Sequence, residues 1–132
     1  MIIRSVESTR GTAFEVHAPT WSSLRLLVKK DGMGFSLHVT TIVGGTETRM
    51  WYRNHLEAVY CLAGTGEIDD LGTGATHRIV PGTLYALNQH DKHVLRAHTD
   101  LRLLCVFNPP CVGNETHDEH GGYRLAGIAG EE

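Results

Sequence analysis

The chain has 132 residues, of which 41% are hydrophobic, and a formal net charge of −3 at pH 7. This length suits one compact domain, and the scattered lysines and arginines form neither a nucleic-acid footprint nor a polybasic membrane patch. No apolar run approaches the ~18 residues of a membrane span, and the opening residues lack the apolar core of a signal peptide. We therefore expect a cytoplasmic protein without a membrane or nucleic-acid partner. The odd number of cysteines, without C-x-x-C spacing, argues against a disulfide framework or a zinc knuckle.

Short strand-like segments follow one another along the chain. Clusters of Gly, Pro, Asn or Asp separate them, as expected for strands joined by tight turns. Segment 35–43 alternates, with the apolar Leu37 and Val39 on one face and the polar His38 and Thr40 on the other. The predicted strands cover residues 23–30, 35–43, 46–52, 57–64, 66–71, 76–80, 83–87, 93–97 and 101–108.

This succession predicts an all-β fold, either a sandwich or a barrel, in a single domain. We expect the domain and its closing segment to span residues 1–118, followed by a partly disordered C-terminal tail at 119–132. The opening ten residues predict at most a short turn or strand.

Two spaced motifs resemble those of the cupin superfamily. Glu57 is followed after six residues by Gly64, as in the second half of the first cupin motif. Segment 82–93 keeps the skeleton of the second motif, with a glycine at its start and a histidine at its end. The paired histidines of the first motif are absent. They would fall at positions 51 and 53, where the chain has Trp51 and Arg53, or at positions 50 and 52, where it has Met50 and Tyr52. The resemblance implies a cupin-type jelly-roll β-barrel with an unusual set of metal ligands.

Longer stretches resemble the ectoine synthase family, up to about residue 125. Four of them are DGMGFSLHVTTI, WYRNHLEAVYCLAGTGE, PGTLYALNQHDKHVLRA and LRLLCVFNPP. The resemblance implies L-ectoine synthase activity, that of a carbon–oxygen hydro-lyase acting in compatible-solute (osmoprotectant) biosynthesis. Such an enzyme cyclises N-γ-acetyl-L-2,4-diaminobutyrate to ectoine with loss of water. It also implies a homodimer that uses iron.

The same resemblance implies an iron site, with Fe²⁺ expected, at Glu57, Tyr85 and His93. A tyrosine oxygen can serve as a ligand because a bound cation lowers the pKa of the phenol. Three protein ligands leave coordination positions open, as a catalytic metal requires. These residue types also leave Zn²⁺ or Mn²⁺ possible. His55 shares a face with Glu57 on an extended strand, and the sequence does not decide whether it orients the site or is structural.

The resemblance further implies the residues that handle the substrate. Glu115 and His117 lie on one face of an extended segment, so they are expected either to act as a base and acid pair or to grip the substrate ammonium. Arg25 is expected to bind the carboxylate, because a guanidinium donates two parallel hydrogen bonds. The predicted catalytic residues are Glu115, His117 and Tyr52, and the predicted substrate-binding residues are Trp21, Ser23, Arg25, Thr40, Cys105 and Phe107.

Two alternatives accompany this hypothesis. A cupin-type module could bind a small solute without turnover, but it would not need Tyr85 and His93 paired with Glu57. A different cupin enzyme, such as an isomerase or dioxygenase, normally needs the paired histidines that this chain lacks. The response of turnover to added iron and then to a chelator separates the first alternative from the enzyme.

Overall fold

The computed structural model describes residues 1–123. Ten β-strands build this part of the chain, with a one-turn α-helix, α1 (Val6–Thr9), and a 3-10 helix (Lys29–Asp31). None of the helices described is long and apolar enough to cross a membrane. The all-β prediction is confirmed. The strands are β1 (Glu15–His17), β2 (Trp21–Leu27), β3 (Ser36–Ile42), β4 (Glu47–Met50), β5 (Leu56–Ala63), β6 (Gly66–Asp70), β7 (Thr76–Ile79), β8 (Leu84–Leu87), β9 (His93–Ala97) and β10 (Leu101–Asn108).

The N-terminal region differs from the expected turn or strand. Ser5 and Ser8 cap α1 reciprocally, since each backbone N–H donates to the hydroxyl of the other residue at 2.9 Å. Two orphan donors of the helix are thereby satisfied, so even one turn of helix is stable in this context. Strand β1, which the sequence did not predict, pairs with β2 at the edge of the larger sheet.

The strands form two antiparallel sheets that enclose the core. The larger sheet has the order β1-β2-β3-β10-β5-β8, and the smaller has the order β4-β9-β6-β7. Leu101 and Ile79 are completely buried between them. Gly64, the glycine of the first motif, has a φ of 91° and follows β5 where the backbone of Asp100 leaves no room for a side chain.

Cross-strand pairing arranges the inner side chains of the larger sheet into rows. Polar residues of β2 and β3 face inward, so the polar side of the alternating β3 segment belongs to the interior. The first row contains Ser36, Phe107, Glu57 and Leu87; the second contains Arg25, His38, Cys105, Val59 and Tyr85; the third contains Ser23, Thr40, Leu103 and Cys61.

Residues 109–123, here called the C-terminal segment, return across one end of the two sheets. Gly121 and Gly122 are buried, and an added Cβ at either would collide with backbone of residues 49–52. The backbone N–H of Trp51 donates to the Gly121 carbonyl at 3.1 Å. The first five residues of the predicted tail therefore reach a packed part of the domain. The remainder of that prediction, residues 124–132, lies outside the described residues.

An ion pair connects the N-terminus to the turn after β2. Both carboxylate oxygens of Asp31 accept from Arg4, at 2.6 and 2.9 Å, and one also accepts from the backbone N–H of Val28 at 2.9 Å. These contacts, with the Arg4 hydrogen bonds first, lower the pKa of Asp31 from 3.8 to about 2. A carboxylate with a depressed pKa contributes stability above its unfolded pKa and loses it as pH falls through the folded value.

Replacing Asp31 with Asn should therefore lower the free energy of unfolding by about 1–2 kcal/mol at pH 7, allowing for the partly exposed Arg4 side chain. Urea unfolding of both proteins at several pH values tests this expectation. The difference in free energy of unfolding between the native protein and the variant should become smaller as pH falls from about 4 towards 2. An equal difference at every pH would show that the carboxylate charge contributes nothing.

Candidate active site

A cleft lies between the sheets, at the end that the C-terminal segment covers. Residues of both sheets and of that segment line it. Strand pairing and the C-terminal segment together bring side chains from Trp21 to Tyr123 into one cleft. The residues that the sequence predicted and that line the cleft are Trp21, Thr40, Tyr52, Glu57, Tyr85, Cys105, Phe107 and His117.

Glu57 and Tyr85 are neighbours on the inner face of the larger sheet. Glu57 pairs with Leu87 across β5 and β8, and Val59 pairs with Tyr85, so Glu57 and Tyr85 are diagonal neighbours. Burial raises the pKa of Glu57 to about 8. Burial and the nearby Glu57 raise the pKa of Tyr85 well above its usual range. Within residues 1–123, no basic side chain forms an ion pair with Glu57.

His93 faces inward from the opposite sheet, on β9. Its Nδ1 lies 2.9 Å from the Asp91 carbonyl oxygen and must donate to it, which assigns the proton to Nδ1. The other ring nitrogen, Nε2, is buried and has no hydrogen-bond partner among the described residues. His93 does not itself line the cleft, but it pairs across the strands with Met50, which does.

The available donors restrict what could hold a metal here. In residues 1–123, no three side chains of His, Cys, Asp or Glu come together as a possible metal-binding group. A metal in this cleft would therefore need a donor of another type, and the phenol of Tyr85 beside Glu57 is one. Among residues 1–123, the buried Glu57 carboxyl has no ion-pair partner and His93 Nε2 has no hydrogen-bond partner, and a cation would satisfy both groups. Glu57, Tyr85 and His93 thus fit a metal.

Tyr52 and His117 form a hydrogen-bonded pair in the cleft. The Tyr52 hydroxyl lies 2.7 Å from His117 Nε2. Burial, assisted by the charge of Arg25, lowers the pKa of His117 to about 4. Burial also raises the pKa of Tyr52 well above its usual range. At neutral pH the phenol is therefore protonated and donates to an uncharged imidazole.

Ser23 and Arg25 lie behind the cleft wall rather than in it. Ser23 Oγ accepts from Arg25 Nε at 2.9 Å and from Thr40 Oγ1 at 3.1 Å. Ser23 thus holds Thr40, which lines the cleft, and Arg25, which does not. Neither Ser23 nor Arg25 lines the cleft, so their predicted direct contact with substrate stays a prediction.

Glu115 also lies outside the cleft lining. Its two carboxylate oxygens accept from the backbone N–H groups of Val112 and Gly113, at 2.6 and 2.8 Å. One oxygen lies 3.9 Å from Arg25 Nη1. Glu115 here fixes the turn that opens the C-terminal segment. Glu115 does not line the cleft that His117 lines, so its catalytic role stays a prediction and its observed contacts are structural.

Tyr123 is a cleft residue that the sequence did not single out. Its hydroxyl accepts from Arg25 Nη2 at 3.2 Å, and its ring lies 5.6 Å from the Arg25 guanidinium carbon. The ring also packs on Tyr52 and His117. Tyr123 therefore stands between Arg25 and the cleft. The available signal was its position directly after Gly121 and Gly122, which allow the chain to approach residues 49–52 closely.

Two buried histidines flank the site. His55 packs edge-on against Phe107 and Tyr123, and its Nδ1 has no partner among the described residues. His38, which the sequence assigned no role, packs against Phe107 and places Nε2 at 3.2 Å from Ser36 Oγ. Neither histidine lines the cleft. The remaining cleft residues, also not predicted, are Ile42, Met50, Leu95 and Leu103.

Comparison with known proteins identifies the family. A family model described as ectoine synthase matches residues 1–127. The chain belongs to the ectoine synthase family. An L-ectoine synthase from Desulfosudis oleivorans is 60% identical over 126 residues, covering 95% of this chain and 98% of the relative. One from Halalkalibacterium halodurans is 54% identical over 125 residues, covering 95% and 97%.

Solved structures agree with this family and with the fold. The crystal structure of ectoine synthase from P. lautus matches with a TM-score of 0.86 and 51% identity, covering 100% of this chain and 96% of the other. A cupin-2 domain from Rhodospirillum rubrum matches with a TM-score of 0.59 and 22% identity, over 69% of this chain and 62% of that domain, and shows the fold alone. The predicted single-domain cupin fold is confirmed. As a member of the ectoine synthase family the chain is an enzyme, a hydro-lyase, and the prediction of enzyme class is also confirmed.

Proposed function

We propose that this ectoine synthase closes N-γ-acetyl-L-2,4-diaminobutyrate into ectoine, in compatible-solute biosynthesis, with iron held by Glu57, Tyr85 and His93. The observation that carries the proposal is that Glu57 and Tyr85 are neighbours on one sheet, while His93 on the other sheet has a buried Nε2 without a hydrogen-bond partner among the described residues. A binding module without turnover is not favoured, because the curated relatives are synthases.

The reaction joins two groups of one molecule. The α-amine nitrogen forms a bond to the acetamide carbonyl carbon, and the carbonyl oxygen leaves as water with the two protons that the amine gives up. A narrow cleft can hold the flexible substrate in a conformation that brings these atoms together, which removes several kcal/mol of entropic cost. The aromatic wall of Trp21, Phe107 and Tyr123 would exclude water during the dehydration.

Proton transfer is assigned to Tyr52 and His117. The ammonium group of the substrate must lose a proton before it can attack, and an uncharged His117 can receive a proton only through the Tyr52 hydroxyl that donates to its Nε2. As the Tyr52 oxygen takes the ammonium proton, its own proton moves to His117 Nε2 over 2.7 Å. The reverse transfer delivers a proton to the departing oxygen. A bound iron would polarise the acetamide carbonyl as a Lewis acid.

Turnover by the full chain tests the proposal. The protein is assayed with N-γ-acetyl-L-2,4-diaminobutyrate as purified, after treatment with a chelator, and after addition of Fe²⁺, with ectoine measured by NMR. We expect ring closure that falls to background on chelation and returns with iron. Substrate binding without any product would support the solute-binding alternative. Full turnover by metal-free protein would contradict the iron assignment while leaving the cyclisation standing.

We also propose a homodimer and a cytoplasmic location, as the family resemblance implies. Strand β8 is an edge of the larger sheet and offers unpaired backbone groups to another chain. Its Leu84 pairs with Tyr60 on the outer face, and both side chains are exposed, as is Leu62 nearby. Apolar side chains clustered beside an open sheet edge support association of two copies.

A further inference from the structure

The floor of the cleft is aliphatic, unlike its walls. Ile42, Leu95 and Leu103 come from β3, β9 and β10 and line the cleft, and each also belongs to the hydrophobic core. Their exposed fractions are 3%, 1% and 2%. A floor that is part of the close-packed core cannot recede to admit a larger group without a cost in packing.

The chemistry of the substrate decides which group can face this floor, and this step rests on the proposed function. The substrate carries a carboxylate, an ammonium and an amide, each of which would lose hydrogen bonds against aliphatic carbon. The acyl methyl is its one apolar end group. Leu103 lies one row below Cys105 and Tyr85 on the inner face of the larger sheet. An amide oxygen directed at Glu57 and Tyr85 would therefore direct its methyl towards Leu103.

We propose that Leu103, supported by Ile42 and Leu95, limits the length of the acyl group that the enzyme accepts. A two-carbon acetyl group fits above the floor. A propionyl group adds one methylene that meets Leu103 before the carbonyl reaches its position. The longer substrate would undergo the same balanced reaction, with amine nitrogen bonding to carbonyl carbon and oxygen leaving as water, and would give the 2-ethyl ring.

The test compares kcat/KM for the acetyl and propionyl substrates in matched variants. Leu103→Val removes one methylene from the floor and should keep the fold, and Ile42→Val is a second small change. Leu101→Ala is the control, because Leu101 is on the same strand and inner face and is fully buried but does not line the cleft. The Leu101→Ala substitution weakens core packing but does not add space to the cleft beside Leu103.

The native enzyme should favour the acetyl substrate about 10–200-fold, the range for one methylene in an apolar pocket. Leu103→Val should bring the ratio towards one, whereas Leu101→Ala should lower the melting temperature and leave the ratio unchanged. The inference would be overturned if the native enzyme had nearly equal kcat/KM for the two substrates. It would also be overturned if both Leu103→Val and Ile42→Val kept the native preference for the acetyl substrate. The cyclisation itself would stand in either case. Failure of the native enzyme to cyclise the acetyl substrate would overturn the proposed function and this inference together.

Discussion

Replacing Tyr85 with Phe is expected to remove most of the iron and nearly all of the cyclisation activity. In the proposed iron site the phenol oxygen is the third donor beside Glu57 and His93, and no alternative set of three His, Cys, Asp or Glu side chains exists within residues 1–123. Two remaining ligands are too few to hold a first-row metal tightly. The ring of phenylalanine still fills the position, so the melting temperature of the metal-free protein should change little.

Metal analysis and turnover, measured on the same samples, decide this prediction. Tyr60→Phe is the matched control, since Tyr60 lies on the outer face of neighbouring β5 and is exposed. It should retain native iron and native rate. If Tyr85→Phe also retained both, Tyr85 would serve only in packing. His55, whose buried Nδ1 has no described partner, would then be the first residue to test as a ligand.

Replacing Tyr52 with Phe should lower kcat by about 10²–10⁴-fold while the iron content stays native. The substitution removes the hydroxyl that donates to His117 Nε2 over 2.7 Å. The ring contacts with Phe107 and Tyr123, at 5.1 Å between centroids, remain. The loss should therefore appear in the chemical step and leave KM within a few fold, because substrate binding keeps its wall.

A double-mutant cycle with His117→Ala checks that the two residues act together. If they pass protons as a pair, the double variant should be little slower than either single variant, because each change already breaks the relay. If the rate loss of the double variant equalled the product of the two single losses, Tyr52 and His117 would have independent roles. Loss of iron in Tyr52→Phe to the level of Tyr85→Phe would assign Tyr52 to the metal site instead.

The strands were predictable because each has a local cause. Turn residues mark the limits of the strands from β2 to β10, and period-2 alternation marks β3. The observed boundaries fall within a few residues of the predicted ones. Strand β1 has three residues and no such pattern. Helix α1 depends on one serine pair, Ser5 and Ser8. Elements this short are stabilised by capping and by neighbouring strands, which a sequence pattern does not display.

The site was predictable in part. Glu57 and Tyr85 were found through the family motif, and the pairing of β5 with β8 places them together. Arg25 was predicted to contact substrate, yet Tyr123 lies between it and the cleft. Tyr123 was assigned to a tail because the glycine pair before it does not by itself show which part of the chain it packs against. Its position depends on contacts with residues 49–54, about seventy positions earlier in the chain.

The sequence by itself determined the all-β class, the single domain and the family, because these depend on turn spacing, length and local motifs, whereas the metal ligands stay a prediction. Only the tertiary structure decided which face of β3 is interior, since alternation gives two faces without saying which is covered. It likewise placed Ser23 and Glu115 behind the wall and set the aliphatic floor at Leu103. These features depend on pairing between strands that are far apart in the sequence, so no single segment of the chain shows them.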